Sequence, residues 1–153
     1  MEKTIKYQLL NISALEYRIS DKENGFSIPL DACEINLTIS FNFNLDVEQV
    51  VFHYIVQYND KRNQEELMYF QCKTVYRVIE LNTVFYLHDN IVNVPDSFLL
   101  TAISIGIGAI RGMLALKNKG TYLQDIHLPI YDPVSILEGL KQYKSNEGLQ
   151  ANA

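Results

Sequence analysis

The chain has 153 residues, 48% hydrophobic and 20% charged, with a net charge of −5. That composition suits one domain with a real core; it excludes a disordered chain, and the 7 Gly and 4 Pro exclude a fibrous or low-complexity one. The acidic balance excludes a general electrostatic grip on nucleic acid, and the 2 Cys are too few for a disulfide framework, so a reducing, cytoplasmic compartment is expected.

Met1-Glu2-Lys3-Thr4 runs straight into a strand-like pattern, with no basic stretch followed by an apolar one, so no signal peptide is expected. Ile5 to Ile19 reads as a strand of irregular alternation. Asp21 to Asp31, with Asn24-Gly25 and Pro29, reads as a loop. Ile35, Leu37, Ile39, Phe41 and Phe43 then alternate with Asn36, Thr38, Ser40 and Asn42, the period of a strand with one face on a core. Val50 to Tyr58 is a further strand, with Val50, Phe52, Tyr54, Val56 and Tyr58 on one face. Its other face is half apolar, which predicts cover on both sides. The polar break Tyr58 to Asn63 predicts a hairpin connection, and Met68 to Leu81 predicts another strand.

The texture changes after Val94. Phe98 to Leu116 is 19 residues with a single charge, Arg111. That length is marginal for a membrane span. An Arg at a helix centre costs about 2.5 to 3.5 kcal/mol in a membrane, and Ala102, Gly106, Gly108 and Gly112 dilute the apolar run, so a buried helix with no membrane insertion is expected. Pro95 and Asp96 suit its start, Lys117 and Lys119 its negative end, and Gly120 its cap. A second, shorter helix opens at Asp132-Pro133, with Pro133, Ile136, Leu137 and Leu140 forming one apolar stripe. Strands first and helices last predict an α+β fold: a four-stranded antiparallel sheet, then one long and one short helix packed on one face. Residues 1–143 read as a single domain, and 144–153 as a flexible polar tail.

No catalytic or metal signature stands out. Gly106-Ile107-Gly108-Ala109-Ile110-Arg111-Gly112 is off by one from the dinucleotide fingerprint and lies mid-helix. His53, His88 and His127 lack ligand spacing, and no C-x-x-C occurs. His88-Asp89 has no nucleophile elbow beside it. Cys33 and Cys72 read as inert buried thiols, and Glu65-Glu66 as a solvated turn. No enzyme, cofactor or metal is therefore expected. Three glycines inside a helix each cost about 1 kcal/mol relative to Ala, which predicts something packed close against them. The ten Tyr and seven Phe cluster on strands and loops, and part of that set fits an apolar groove.

Three stretches carry a resemblance. Glu65-Glu66-Leu67-Met68-Tyr69-Phe70-Gln71-Cys72-Lys73, then Val94-Pro95-Asp96-Ser97-Phe98-Leu99, then Lys119-Gly120-Thr121-Tyr122 with Leu128-Pro129-Ile130-Tyr131-Asp132 and Ile136-Leu137 follow one another in collinear order. In that order the chain resembles the SecB family of export chaperones, whose strand reads E-E-T-A-F-L-C-E and whose long helix opens P-N-x-L-F-P. The chain departs from the family in having Thr101-Ala102-Ile103-Ser104 in place of P-Y-A-R-E. Ser13 to Arg18 lacks the acidic pair by which typical members dock the translocation motor.

The resemblance implies a homotetramer, a dimer of dimers, that holds unfolded or pre-secretory polypeptides in apolar grooves without ATP. Its partners would be unfolded clients with either a translocation ATPase or a toxin–antitoxin pair. Collinearity and residue type put Tyr69, Phe70, Tyr76, Phe85, Tyr86 and Tyr131 in the groove, with Ile136 and Leu140 on a lid-like second helix. Ile103, Gly106, Ile107, Gly108, Ile110 and Gly112 are expected at the subunit interface. The alternative is a small-molecule or lipid-binding α+β protein with one apolar cavity between sheet and long helix.

Overall fold

The computed structural model describes residues 4–81, 86–88 and 91–147, with side chains over 4–81 and 94–140. Four long strands come first: β1 (Tyr7–Ile19), β2 (Cys33–Asn44), β3 (Gln49–Asp60) and β4 (Glu65–Val78). A short hairpin, β5 (Tyr86–His88) and β6 (Ile91–Asn93), leads to the helices α1 (Asp96–Lys117) and α2 (Pro133–Glu147). The long strands form one antiparallel sheet in the order β1-β4-β3-β2, so β1 and β2 are its edges. This is the α+β arrangement that the order of the sequence patterns implies.

The core lies between the inner face of the sheet and α1. Val50, Phe52, Tyr54, Val56 and Tyr58 of β3 are fully buried, as their alternation predicts. Phe70, Cys72, Thr74, Tyr76 and Val78 of β4 lie on the same face. Phe98 of α1 sits in an aromatic cluster, with ring centroids 5.2 Å from Tyr7, 5.8 Å from Tyr76 and 6.0 Å from Phe52. Burying each such ring contributes roughly 1.5–3 kcal/mol. By length and composition α1 passes as a membrane span; its inner side, Phe98, Leu99, Ala102, Ile103, Gly106, Ile107, Ile110 and Leu114, is buried in this core.

Gly106 sets how closely α1 approaches the sheet. A Cβ there would lie 2.1 Å from the Tyr54 hydroxyl oxygen. The hydroxyl occupies that space and donates to the Ala102 carbonyl at 3.3 Å, and Tyr76 donates to the same carbonyl at 3.4 Å. Burial raises the pKa of both phenols against the opposing influence of the Thr74 hydroxyl, so both stay neutral donors.

Several details depart from the sequence pattern, each for a local reason. β1 is irregular because it carries bulges, at Leu10 and Leu15. β4 begins at Glu65, not Met68: Lys22 pairs with Glu65 at 2.5 Å and Arg18 with Glu66 at 3.2 Å, so this acidic pair belongs to the strand and not to a solvated turn. It ends at Val78, before Leu81, where Glu80 turns the backbone to a φ of 58°. The β5–β6 hairpin escapes pattern analysis because three-residue strands show no period. α2 is capped as expected, with Asp132 Oδ1 accepting the Val134 N–H at 3.1 Å. It packs on α1 and runs to Glu147, past the expected start of a tail at Lys144, because no breaker precedes Gly148. Residues 148–153 lie outside the described residues.

Gly106→Ala is expected to destabilise the fold by about 1–3 kcal/mol, despite the better helix propensity of Ala. Gly139→Ala in α2, where a Cβ meets open space, is expected to stabilise by about 0.5–1 kcal/mol. Urea unfolding of both variants measures the contrast, and in a Tyr54→Leu background the penalty at Gly106 should shrink.

Candidate functional site

The residues expected to line one groove are divided among separate places. Phe70 and Tyr76 are fully buried in the core on the inner face of β4 and are not available to a ligand. Tyr69 points to the opposite, outer face, half-buried beneath the Arg18 guanidinium at 4.0 Å from its ring centre. Tyr131, Ile136 and Leu140 are half-buried together at the start of α2. Phe85 lies outside the described residues, and Tyr86 is described only as backbone in β5.

The interface set divides in the same way. Ile103, Gly106, Ile107 and Ile110 are taken up by the chain's own core, because the 3.6-residue period turns them toward the sheet. Only Gly108 and Gly112 face outward, with open space where a Cβ would be. They share the exposed side of α1 with Thr101, Ser104, Ile105, Ala115 and Leu116, an uncharged strip. Arg111 is drawn off that strip by donating to the Pro129 carbonyl at 2.5 Å.

Much of the tyrosine content holds the segment between the helices against the sheet. Tyr17 donates to Asn118 Oδ1 at 2.8 Å, Tyr58 to the Ile126 carbonyl at 3.3 Å, and Tyr122 to the Ser20 carbonyl at 2.8 Å. Each keeps its ring in apolar surroundings and its tip on a polar atom. Burial pushes the Tyr122 phenol up to about 12 and raises those of Tyr17 and Tyr58 as well.

Exposed apolar side chains lie in several places, among them Leu30 before β2 and Leu116 near the end of α1. On β1, Leu9, Leu10, Ile12 and Leu15 are 37–46% exposed. At the sheet's end, Leu45 and Val47 of the β2–β3 turn join Leu10 around an open cup closed by the Arg77–Glu48 ion pair at 3.8 Å. Between the helices Ile130 is 95% exposed, with Val134 beside it in sequence on the first turn of α2. Ile130 is next in sequence to half-buried Tyr131, and Val134 is exposed on a helix whose Ile136 and Leu140 are half-buried. The only signal for them in the sequence is an aliphatic residue wedged between Pro129 and Tyr131. The layer between sheet and α1 is filled by Phe52, Tyr54, Tyr76 and Phe98, where the alternative of an enclosed ligand cavity would need space.

No His, Cys, Asp or Glu cluster of metal-binding size occurs among the described residues. His53 lies in register between Ser40 and Lys73 on the sheet's outer face, and His127 is exposed. His88 is described as backbone only, and Asp89 lies outside the described residues. Cys33 and Cys72 are free and buried. Burial pushes both thiols up to about 11, with Asp60 adding to the rise at Cys33.

With this geometry in place, the fold is SecB-like. It is similar to the Mycobacterium tuberculosis SecB-like chaperone Rv1957, solved in complex with a ChAD peptide from the Rv1956 HigA1 antitoxin. The TM-score is 0.52 at 11% identity, over 82% of this chain and 91% of that one. A Streptococcus agalactiae protein of unknown function covers 85% of this chain and 100% of its own, at 7% identity and a TM-score of 0.33, too low to define a shared fold. No protein-family model matches the chain, and no curated protein is significantly similar to it in sequence.

Both thiols are expected to resist a thiol reagent in the native protein at pH 8 and to react promptly in denaturant, because the nucleophile is the thiolate and burial opposes its formation. A rate near that of a free cysteine in the native state would place them at the surface.

Proposed function

We propose that this chain is an ATP-independent holdase that binds unfolded polypeptide through its exposed apolar surface. The observation that carries the reading is that surface on a SecB-like fold, with Ile130 and Val134 exposed around the start of α2. Exposed apolar surface left uncovered in this way is a candidate interaction site. A surface that binds the unfolded state alone slows refolding and aggregation by mass action, with no chemistry. No catalytic residue, cofactor or metal enters this reading, and its site is cytoplasmic. The client class includes antitoxin-like peptides, in keeping with the peptide bound by the Mycobacterium tuberculosis neighbour. A toxin–antitoxin partner fits better than a translocation ATPase, because β1 lacks the acidic pair between Ser13 and Arg18.

The same reading makes the protein a homo-oligomer, a dimer of dimers. The uncharged outer strip of α1 around Gly108 and Gly112 and the apolar edge of β1 are the surfaces it buries. Small residues let a second helix approach closely, and the dispersion gained offsets their low helix propensity. Repeated weak patches on one assembly then add avidity.

Dilution of a chemically denatured client into stoichiometric protein without nucleotide is expected to delay its refolding and suppress its aggregation. Ile130→Asp with Val134→Asp should weaken capture about tenfold, a cost of about 1.4 kcal/mol, while thermal stability stays put because both sites are exposed. Unchanged capture would move the site elsewhere. Gly108→Leu is expected to leave a folded chain of lower mass in light scattering; an intact oligomer would remove α1 from the interface.

A further inference from the structure

Asn24-Gly25 is the one asparagine–glycine step in the chain. It lies in the loop between β1 and β2, and both residues are exposed. The Phe26 N–H donates to the Glu23 carbonyl at 3.0 Å, closing a turn in which Gly25 is third, at a φ of 85°. That is the form of a type II turn, which needs a residue free to adopt positive φ at this position. A Cβ at Gly25 would meet nothing within 4 Å, so no side chain shields its main-chain nitrogen. Among the described residues the Gly25 N–H enters no main-chain hydrogen bond.

The other described asparagines are held differently. Asn44, Asn63 and Asn118 have their side-chain oxygens committed to the Asp46 N–H at 2.9 Å, the Glu65 N–H at 3.0 Å and the Tyr17 hydroxyl at 2.8 Å. Asn11, Asn36, Asn42 and Asn59 lie within strands and are followed by Ile12, Leu37, Phe43 and Asp60. Asn24 has neither restraint: its residue is outside the sheet, and the next nitrogen belongs to a glycine.

We infer that Asn24 is a site of spontaneous deamidation in the folded protein, yielding aspartate and isoaspartate. Base removes the Gly25 amide proton, and the nitrogen attacks Asn24 Cγ. The N–Cγ bond forms, the Cγ–Nδ2 bond breaks, and ammonia leaves, closing a five-membered imide. Water then opens the ring. Breaking the new N–Cγ bond gives aspartate; breaking the original peptide bond leaves the main chain running through Cβ and Cγ as isoaspartate. The balance is asparagine plus water to aspartate or isoaspartate plus ammonia, with no redox partner. Either product adds a negative charge next to Glu23. The isoaspartate also lengthens the backbone inside the turn, which breaks the Phe26–Glu23 bond. Phe26 stands edge-on to Tyr122 at 5.1 Å, and Tyr122 donates to the Ser20 carbonyl, so the change loosens the contact between this loop and the segment after α1.

The test incubates the full chain, native and in urea, in mildly alkaline buffer and follows its proteolytic peptides by mass spectrometry. The peptide holding Asn24 should gain about one dalton ahead of every other asparagine peptide, faster at higher pH, and should become a substrate for an isoaspartyl methyltransferase. Asn24→Gln, on an exposed residue, should abolish the gain without shifting the unfolding midpoint. In the isoaspartate form, separated by ion exchange, the Phe26 amide should exchange its hydrogen faster than in the parent. Conversion of another asparagine first, or conversion of Asn24 more than about tenfold slower in the native chain than in urea, would overturn the inference. Unchanged exchange at Phe26 would remove the loosening of the loop.

Discussion

The contact between α1 and β3 at Gly106 is the constraint on which the other layers depend. The Tyr54 hydroxyl fills the space of the missing Cβ and, with Tyr76, bonds the Ala102 carbonyl. That close approach fixes both the rotation of α1 and its distance from the sheet. Once α1 is seated in this way, Ile103, Ile107 and Ile110 face the core. The opposite strip, with Gly108 and Gly112, is then left outward and bare of charge. The tight packing inside and the small-residue surface outside are two consequences of one helix rotation.

A second constraint follows from the strand order. With β3 and β4 in the middle of the sheet, the fully buried residues concentrate on those two strands. The edges inherit what the single helix layer does not cover. On β1 this leaves exposed leucines and an isoleucine on a bulged, partly charged strand; on β2 it leaves a half-buried aliphatic row on an unbroken, uncharged one. These chemical differences give the edges different capacities for association. The tyrosine-anchored segment after α1 completes the arrangement by placing Pro129 to Asp132 beside Arg111 and opening α2 where Ile130 and Val134 stand free.

Elements with a strong period were legible in the sequence. The alternation of β2 and β3, the long apolar run of α1 and the Asp132-Pro133 start of α2 all stand close to where the patterns put them. Boundaries were less legible. β4 gained Glu65 and Glu66 through ion pairs with Lys22 and Arg18, partners 43 and 48 residues away that no local window contains. Site residues were the least legible. Phe70 and Tyr76 carry the residue types of a groove, but their parity on β4 puts them on the covered face, while Tyr69, one position along, goes to the other. Residue type measures capacity to bind; the face measures availability, and for a strand the face reverses at every residue.

The sequence by itself determined the class of fold, since the periods of 2 and 3.6 and their order along the chain state which segments have one apolar face and in what sequence they must be buried. It also led to the expectation that something packs close against the glycines at 106, 108 and 112. Only the tertiary structure decided what. Gly106 meets Tyr54 of the same chain, while Gly108 and Gly112 meet open space. The helix's seat against the sheet is set by packing on residues some fifty positions earlier.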